Sequence, residues 1–364
     1  MLTMTITNPI PAPDPSAVPL VALENVTKHF PVARGLIERL SGQPTQVVHA
    51  VESVSFQIAR GEVFGLAGES GSGKTTTGRL AIRLLAPTSG TIRFDGQDIS
   101  HLPQAELRPI RRRMQAIFQD PFASMNPRMT LGEGIGHGLY IHRLIHSHTE
   151  AETRVKDMLN RVGLTPAEAY YDRYPHQISG GQRQRAVIAR ALVLQPDFIM
   201  ADEPIAMADV SVRSVLLDLL LNLKRDFGLT FLFITHDLAT AKYICNRIAI
   251  MYLGEIVEVG TIQEIYGRPL HPYTEALLAA VPVPDPTRRH DKPIPSGEIP
   301  NPVNPPNGCR FHPRCPIAQD VCRREVPRLR PGPGDDLHSG HVAACHLRTG
   351  DYQALDPTRR TVSV

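Results

Sequence analysis

Several things are scarce in this 364-residue sequence, and each scarcity removes a class of function. No run of about 18 apolar residues occurs and the mean hydropathy is −0.15, which excludes a membrane-spanning helix. Net charge is almost absent: 39 Lys and Arg against 36 Asp and Glu leave +3, too little to suggest a nucleic-acid binder from composition. The opening MLTMTITNPIPAPDPSAVP has neither a basic stretch nor an apolar core, so no secretory leader is expected and the chain should stay in the cytosol. Cysteines number five, and in that compartment they are expected to serve as metal ligands rather than disulfides. A 42% hydrophobic and 21% charged composition excludes wholesale disorder, and the length suits about two domains.

Proline organises the chain. Five of its 33 prolines lie in residues 1–19 and 15 in residues 281–364, leaving 13 for the 261 residues between. Proline fixes φ and lacks a backbone donor, so such density opposes long helices and central strands. The expected organisation is a disordered N-terminal tail over 1–19, a compact body over 20–280 and a loop-built extension over 281–364. That extension holds 12 Lys and Arg against 9 Asp and Glu, the whole positive excess.

Within the body, β-rich runs alternate with helical patterns. Val63–Ala67, Phe198–Ala201 and Thr230–Ile234 read as buried strands, with a helix following the first from about Lys74. Over 212–227, Val215, Leu216, Leu219, Leu220 and Leu223 recur at helical spacing. Strand, helix, strand predicts an α/β fold with a parallel sheet covered on both faces. The alternating runs Thr91–Phe94 and Ile256–Val259 border glycines and predict antiparallel additions.

Gly68-Glu69-Ser70-Gly71-Ser72-Gly73-Lys74-Thr75 matches G-x-x-x-x-G-K followed by Ser or Thr, between a predicted strand and a predicted helix. Its glycines let backbone N–H groups converge on phosphate oxygens at a helix N-terminus. Lys74 would reach the β- and γ-phosphates and the Thr75 hydroxyl a Mg²⁺ ion, with Thr76 next in line. Asp202 and Glu203 end a strand, where the first can hold a metal's water shell and the second can polarise an attacking water. His236 follows the next strand and can contact the γ-phosphate or orient that water, while Gln119, after Ala116-Ile117-Phe118, can reach Mg²⁺ or water through its amide. Alone, an Asp-Glu pair is usually a solvated turn, and the complete phosphate loop reverses that weighting; a lone strand-end histidine is more often structural, and a glutamine by itself is uninformative.

Ile178-Ser179-Gly180-Gly181-Gln182-Arg183-Gln184-Arg185, opening a further helix, decides the class. With it the chain resembles the ATP-binding subunits of ABC transporters. Ser179, Gly180, Gly181 and Gln182 match that family's signature, Phe30 the aromatic that stacks on adenine, Gln119 the Q-loop, Asp202 and Glu203 the Walker B pair, and His236 the switch histidine. The resemblance implies a parallel core sheet with antiparallel and helical subdomains. It also implies hydrolysis of ATP with Mg²⁺ at two composite sites, each closed by the signature of a second ATPase subunit. The D-loop departs from the usual Ser-Ala-Leu-Asp: Ala206-Met207-Ala208-Asp209 keeps Asp209 and loses the serine hydroxyl.

Gln119-Asp120-Pro121-Phe122-Ala123-Ser124-Met125-Asn126-Pro127-Arg128-Met129-Thr130 and His271-Pro272-Tyr273-Thr274-Glu275-Ala276-Leu277-Leu278 are similar to the peptide and nickel importer branch, so the resemblance runs over about 20–346. It implies two integral membrane permease subunits, an extracytoplasmic solute-binding protein as indirect partner, no nucleic acid, and a peripheral place on the cytoplasmic face of the membrane. Peptide and nickel both stay open as cargo.

The extension carries Cys309, Cys315, Cys322 and Cys345 on a proline-stiffened loop. Zinc suits their number, although close C-x-x-C pairs are missing; an iron–sulfur cluster tolerates wider spacing; unligated thiols are the third reading. The branch resemblance implies a 4Fe–4S cluster, with Arg310, Arg314, Arg323 and Arg324 offsetting its charge. Besides an importer motor, two functions compete. One is a soluble ABC protein acting on nucleic acid or ribosomes, which lacks its usual paired cassettes or coiled coils here; the other is a nucleotide-binding partner with weak hydrolysis.

Overall fold

The structure is a computed structural model and describes residues 18–32, 46–207, 209–281, 297–333, 335 and 340–349. All but the last two residues of the tail expected over 1–19 lie outside these, as do parts of the extension and Ala208 of the D-loop. The strands in chain order are β1 (Val21–Pro31), β2 (Val47–Ile58), β3 (Val63–Ala67), β4 (Ser89–Phe94), β5 (Gln97–Asp98) and β6 (Met114–Ile117). They continue with β7 (Phe198–Asp202), β8 (Thr230–Thr235), β9 (Arg247–Tyr252), β10 (Glu255–Thr261), β11 (Arg330–Pro331) and β12 (Val342–Ala343). One sheet runs β2-β1-β4-β5; the larger runs β11-β12-β10-β9-β3-β8-β7-β6. In the larger sheet β9, β3, β8, β7 and β6 are parallel, and β10, β12 and β11 continue it antiparallel. The expected parallel core and both antiparallel additions are present.

The apolar runs at the centre are continuous because each strand there is buried on both faces. Successive side chains of β8 point to opposite sides: Phe231 and Phe233 enter one core, Leu232 and Ile234 the other. β7 divides likewise, with Ile199 and Ala201 on the first side and Phe198 and Met200 on the second. The second core lies under the smaller antiparallel sheet, through Val21, Leu23, Phe56, Ile92 and Phe94.

Six helices position the rest: α1 (Lys74–Ala81), α2 (Leu131–Ile141), α3 (His148–Arg161), α4 (Gly180–Leu192), α5 (Val210–Phe227) and α6 (Pro272–Ala279). Between β6 and β7, α2 buries Leu131, Ile135 and Leu139 at four-residue spacing against Val155 and Leu159 of α3 and Val187 of α4. Each start is capped by a hydroxyl: Thr130 and Ser179 form reciprocal capping boxes with Glu133 and Gln182, and Ser147 accepts from the Glu150 N–H. On α5 the buried stripe is Leu216, Leu217, Leu220 and Leu223, while Val215 is 48% exposed. Leu216, Leu220 and Leu223 are thus where the spacing put them and Leu219 packs beside them, whereas Val215 falls off the stripe.

The extension does not stand apart. β12 pairs with β10, and Phe311 is fully buried against the rings of Tyr252 and Tyr273 at 5.2 and 5.3 Å. These residues share a third core with Ile248, Ile250 and Ile265.

Candidate functional site

β3 ends at Ala67 and the chain turns through the glycine-rich loop into α1. Two glycines there are dictated by space. A Cβ on Gly68 (φ 153°) would lie 2.1 Å from the Met251 carbonyl oxygen, and one on Gly73 (φ 102°) would lie 2.3 Å from that of Ala50. Gly73 is also the N-cap residue of α1, so the helix begins on the lysine itself. Lys74 is buried, and its ammonium donates to the carbonyls of Gly68 and Glu69, each at 2.8 Å, and to Ser72 Oγ at 3.4 Å. Burial lowers its pKa, opposed by the carboxylates of Glu203, Asp202 and Glu69.

Parallel order in the sheet brings the carboxyl ends of neighbouring strands to one edge. Thr75 Oγ1 donates to Asp202 Oδ1 at 3.1 Å across that edge. Burial raises the Asp202 carboxyl above its ordinary range, with the Thr75 hydrogen bond pulling the other way. Glu203 leaves the strand in the left-handed region at φ 48°, its N–H donating to the Ile234 carbonyl at 2.9 Å. Both carboxylate oxygens of Glu203 are engaged: Gln119 Nε2 donates to one at 2.9 Å, and His236 Nδ1 lies 2.8 Å from the other.

A cavity of about 690 Å³ unites these groups; Ser70, Gly71, Gly73, Lys74, Thr75, Thr76, Gln119, Glu203 and His236 all line it. The volume suits a nucleotide-sized ligand. Ser72 is buried beneath the loop, and Asp202 is reached through Thr75. Phe30 is not on the lining; it pairs in register with Val48, which is. The signature residues Ser179, Gly180, Gly181 and Gln182 lie at the start of α4, and Asp209 at that of α5, all away from this cavity. Sequence reasoning missed His49, Leu253, Leu277 and Pro302 on the lining. None carries a local signal, because each arrives from a distant segment. The stretch 119–130 leads from β6 to α2 and presents Phe122 to solvent, with the Arg183 guanidinium 3.7 Å from its ring centroid.

The cysteines require a correction. Cys309, Cys315, Cys322 and Cys345 are free thiols. Among the described residues, the one group of three or more His, Cys, Asp or Glu side chains with donor atoms all within 4.8 Å of one another is His29, His49 and Glu52. No cysteine belongs to it, so the expected 4Fe–4S cluster, and zinc as its alternative, are not supported by the residues present. A bound metal needs its thiols gathered and ionised. Here burial pushes the Cys309 thiol up to about 12 and raises Cys315 and Cys345, and Cys309 and Cys315 pack against the Phe311 core as apolar bodies. Two of the arginines expected to offset a cluster have other partners: Arg314 pairs with Glu69, and Arg310 with Glu52 and Glu255. Even this group of three is occupied, for a single Glu52 oxygen lies 3.0 Å from both imidazoles and 3.4 Å from Arg310.

Residues 51–206 match the family model described as ABC transporter, and residues 257–322 the one described as oligopeptide/dipeptide transporter, C-terminal region. A protein of Brucella ovis named for peptide import and ATP binding is 49% identical over 327 residues, covering 90% of this chain and 97% of its own. The oligopeptide transport ATP-binding protein AppF of Bacillus subtilis is 45% identical over 334 residues, covering 90% and 97%. A solved dimer of the ATP-binding cassette MJ0796, in a post-hydrolysis state with ADP and Pi, superposes with a TM-score of 0.58 at 30% identity over 66% of this chain and 98% of that one. Its fold is an ABC ATPase with mixed sheet and helical subdomains, and similarity spanning cassette and extension alike leads to one assignment: the chain belongs to the ATP-binding subunits of ABC transporters, in the peptide and oligopeptide importer family.

Proposed function

We propose that this chain hydrolyses ATP at the cavity built on Lys74, Thr75, Gln119, Glu203 and His236, and that the energy drives peptide uptake. The observation that carries the reading is the convergence of a phosphate loop, a strand-end carboxylate and a histidine on one sheet edge. The subunit works with a second ATPase and with membrane permease subunits, as members of its family do. Loop N–H groups and Lys74 hold the β- and γ-phosphates. Thr75 and Gln119 would hold Mg²⁺, which would offset phosphate charge when bound. Glu203 accepts a proton from water as its oxygen bonds the γ-phosphorus in line, and the bond to the bridging oxygen breaks to release ADP. His236 and Gln119 orient Glu203 from either side. Phe30 stacks on the adenine.

Ser179, Gly180, Gly181 and Gln182 bear on the nucleotide of the partner ATPase, and Asp209 links the two sites. The cassette over 20–280 performs this chemistry, the extension over 281–364 braces it, and the chain sits peripherally on the cytoplasmic face of the membrane. Peptide as cargo follows the names of its relatives. In the reconstituted complex, Glu203→Gln should lower kcat for MgATP by about 100-fold or more while preserving nucleotide binding. Peptide uptake into vesicles should fall in step. Unaltered hydrolysis in the variant would reject the assignment, and uptake of nickel ions but not peptides would reject the cargo.

A further inference from the structure

Glu69 occupies the second position of the phosphate loop, and its backbone and side chain are all engaged. Its N–H donates to Tyr273 Oη at 2.8 Å, its carbonyl accepts from Lys74 Nζ at 2.8 Å, and its carboxylate accepts from Arg314 Nη1 and Nη2 at 2.8 and 3.1 Å. Neither Tyr273 nor Arg314 comes from the segment that builds the loop. Tyr273 opens α6, and Arg314 ends a short 3-10 turn (His312–Arg314), one residue before Cys315.

Arg314 is tightly specified. Its side chain is 7% exposed, lies 5.8 and 6.0 Å from the ring centroids of Tyr252 and Phe311, and has Tyr252 Oη at 3.5 Å. A guanidinium buried this far needs a carboxylate, and Glu69 supplies a two-pronged one. The hydrogen bonds that Arg314 donates to Glu69 raise its pKa still further, so the guanidinium stays charged. The loop, for its part, has positive-φ glycines at 68, 71 and 73. Such a segment loses much conformational freedom on ordering, and contacts from outside must hold it.

We propose that Arg314 is a positioning residue for the nucleotide site: through its bidentate pair with Glu69, the cysteine-bearing extension sets the shape of the phosphate loop and thereby the affinity for MgATP. This rests on the ATPase reading above and adds to it a regulatory input from outside the cassette. Anything that loosens the turn at 312–314 reaches Lys74 through two contacts, Arg314 to Glu69 and Glu69 to Lys74.

Steady-state hydrolysis of MgATP by the assembled complex tests this by separating KM from kcat. Arg314→Gln should raise KM about tenfold with kcat within about twofold, because binding is weakened and the chemistry is intact. Glu69→Gln should do the same, and the double variant should be no worse than either single one. Arg314→Lys should recover part of the loss, since an ammonium replaces the charge but not the fork. Arg348→Gln is the matched control. It breaks the Arg348–Glu275 pair (2.7 and 3.1 Å), which ties the same extension to α6 without touching the loop, and KM should not move. An unchanged KM in Arg314→Gln, an equal rise in Arg348→Gln, or multiplying effects in the double variant would each overturn the proposal. Should Arg314→Gln fail to fold, Glu69→Gln decides alone, and an unchanged KM there overturns it. No hydrolysis by the unaltered complex would instead count against the ATPase reading, and equilibrium binding of MgATP to the same variants would then decide the role of Arg314.

Discussion

His271 shows how one side chain couples burial, helix start and pH. Its Nδ1 accepts the Tyr273 N–H at 3.1 Å and so caps α6, which requires a neutral ring. Burial lowers the imidazole from 6.5 to about 4, against the opposing pull of the Glu258 carboxylate. Between those values the unfolded chain binds a proton that the folded chain refuses. Stability is therefore complete above about pH 6.5 and declines as pH falls toward 4, by about 2 kcal/mol at pH 5. Denaturant unfolding at neutral pH and at pH 5 should show a shallower decline in His271→Asn, whose amide oxygen keeps the cap without titrating. Parallel pH profiles in the two proteins would rule this out. At the same scale, Glu203 and His236 were legible because each follows a recognisable strand, whereas Glu203's left-handed backbone was not.

Elements were legible where their pattern is local. The strands β3, β7 and β8 announce themselves as apolar runs, and the loop before α1 by its glycine spacing. The same reasoning misplaced Val215, since helical spacing alone does not say which side of an apolar stripe meets the sheet. For α4, Ser179 serves two ends: its Oγ accepts the Gln182 N–H at 3.3 Å, and it opens the signature. Ser179→Ala should cost about 1 kcal/mol through the lost cap, which thermal melting would register. Ser179→Asn should restore the cap and the melting temperature. If the signature serves the partner's nucleotide, both variants still hydrolyse ATP poorly in the complex; recovery of activity together with stability would reduce Ser179 to a helix cap.

Across the whole molecule, the extension and the cassette share a core. Phe311 packs against Tyr252 and Tyr273, β12 extends the main sheet, Arg314 reaches Glu69 on the cavity lining, and Arg310 reaches Glu52. Phe311→Ala should destabilise the protein by about 3–5 kcal/mol, as truncation of a buried aromatic does. Because the core is shared, calorimetry should show one transition at lower temperature. An early, separate transition with the main one unmoved would make the extension an independent domain. The four cysteines exposed the weakness of reading long spacings: their number suggested a metal, yet all four are free thiols, and burial raises the pKa of Cys309, Cys315 and Cys345.

The sequence by itself determined the nucleotide chemistry. A phosphate cradle needs consecutive backbone groups at fixed spacing, and a strand-end acid needs only its strand, so both are written over a few neighbouring residues. Tertiary structure alone decided where the extension's side chains reach. The partners Glu69 and Arg314 are 245 positions apart, and a charge pair that far separated leaves no periodicity behind. Only packing around Phe311 brings the two side chains together.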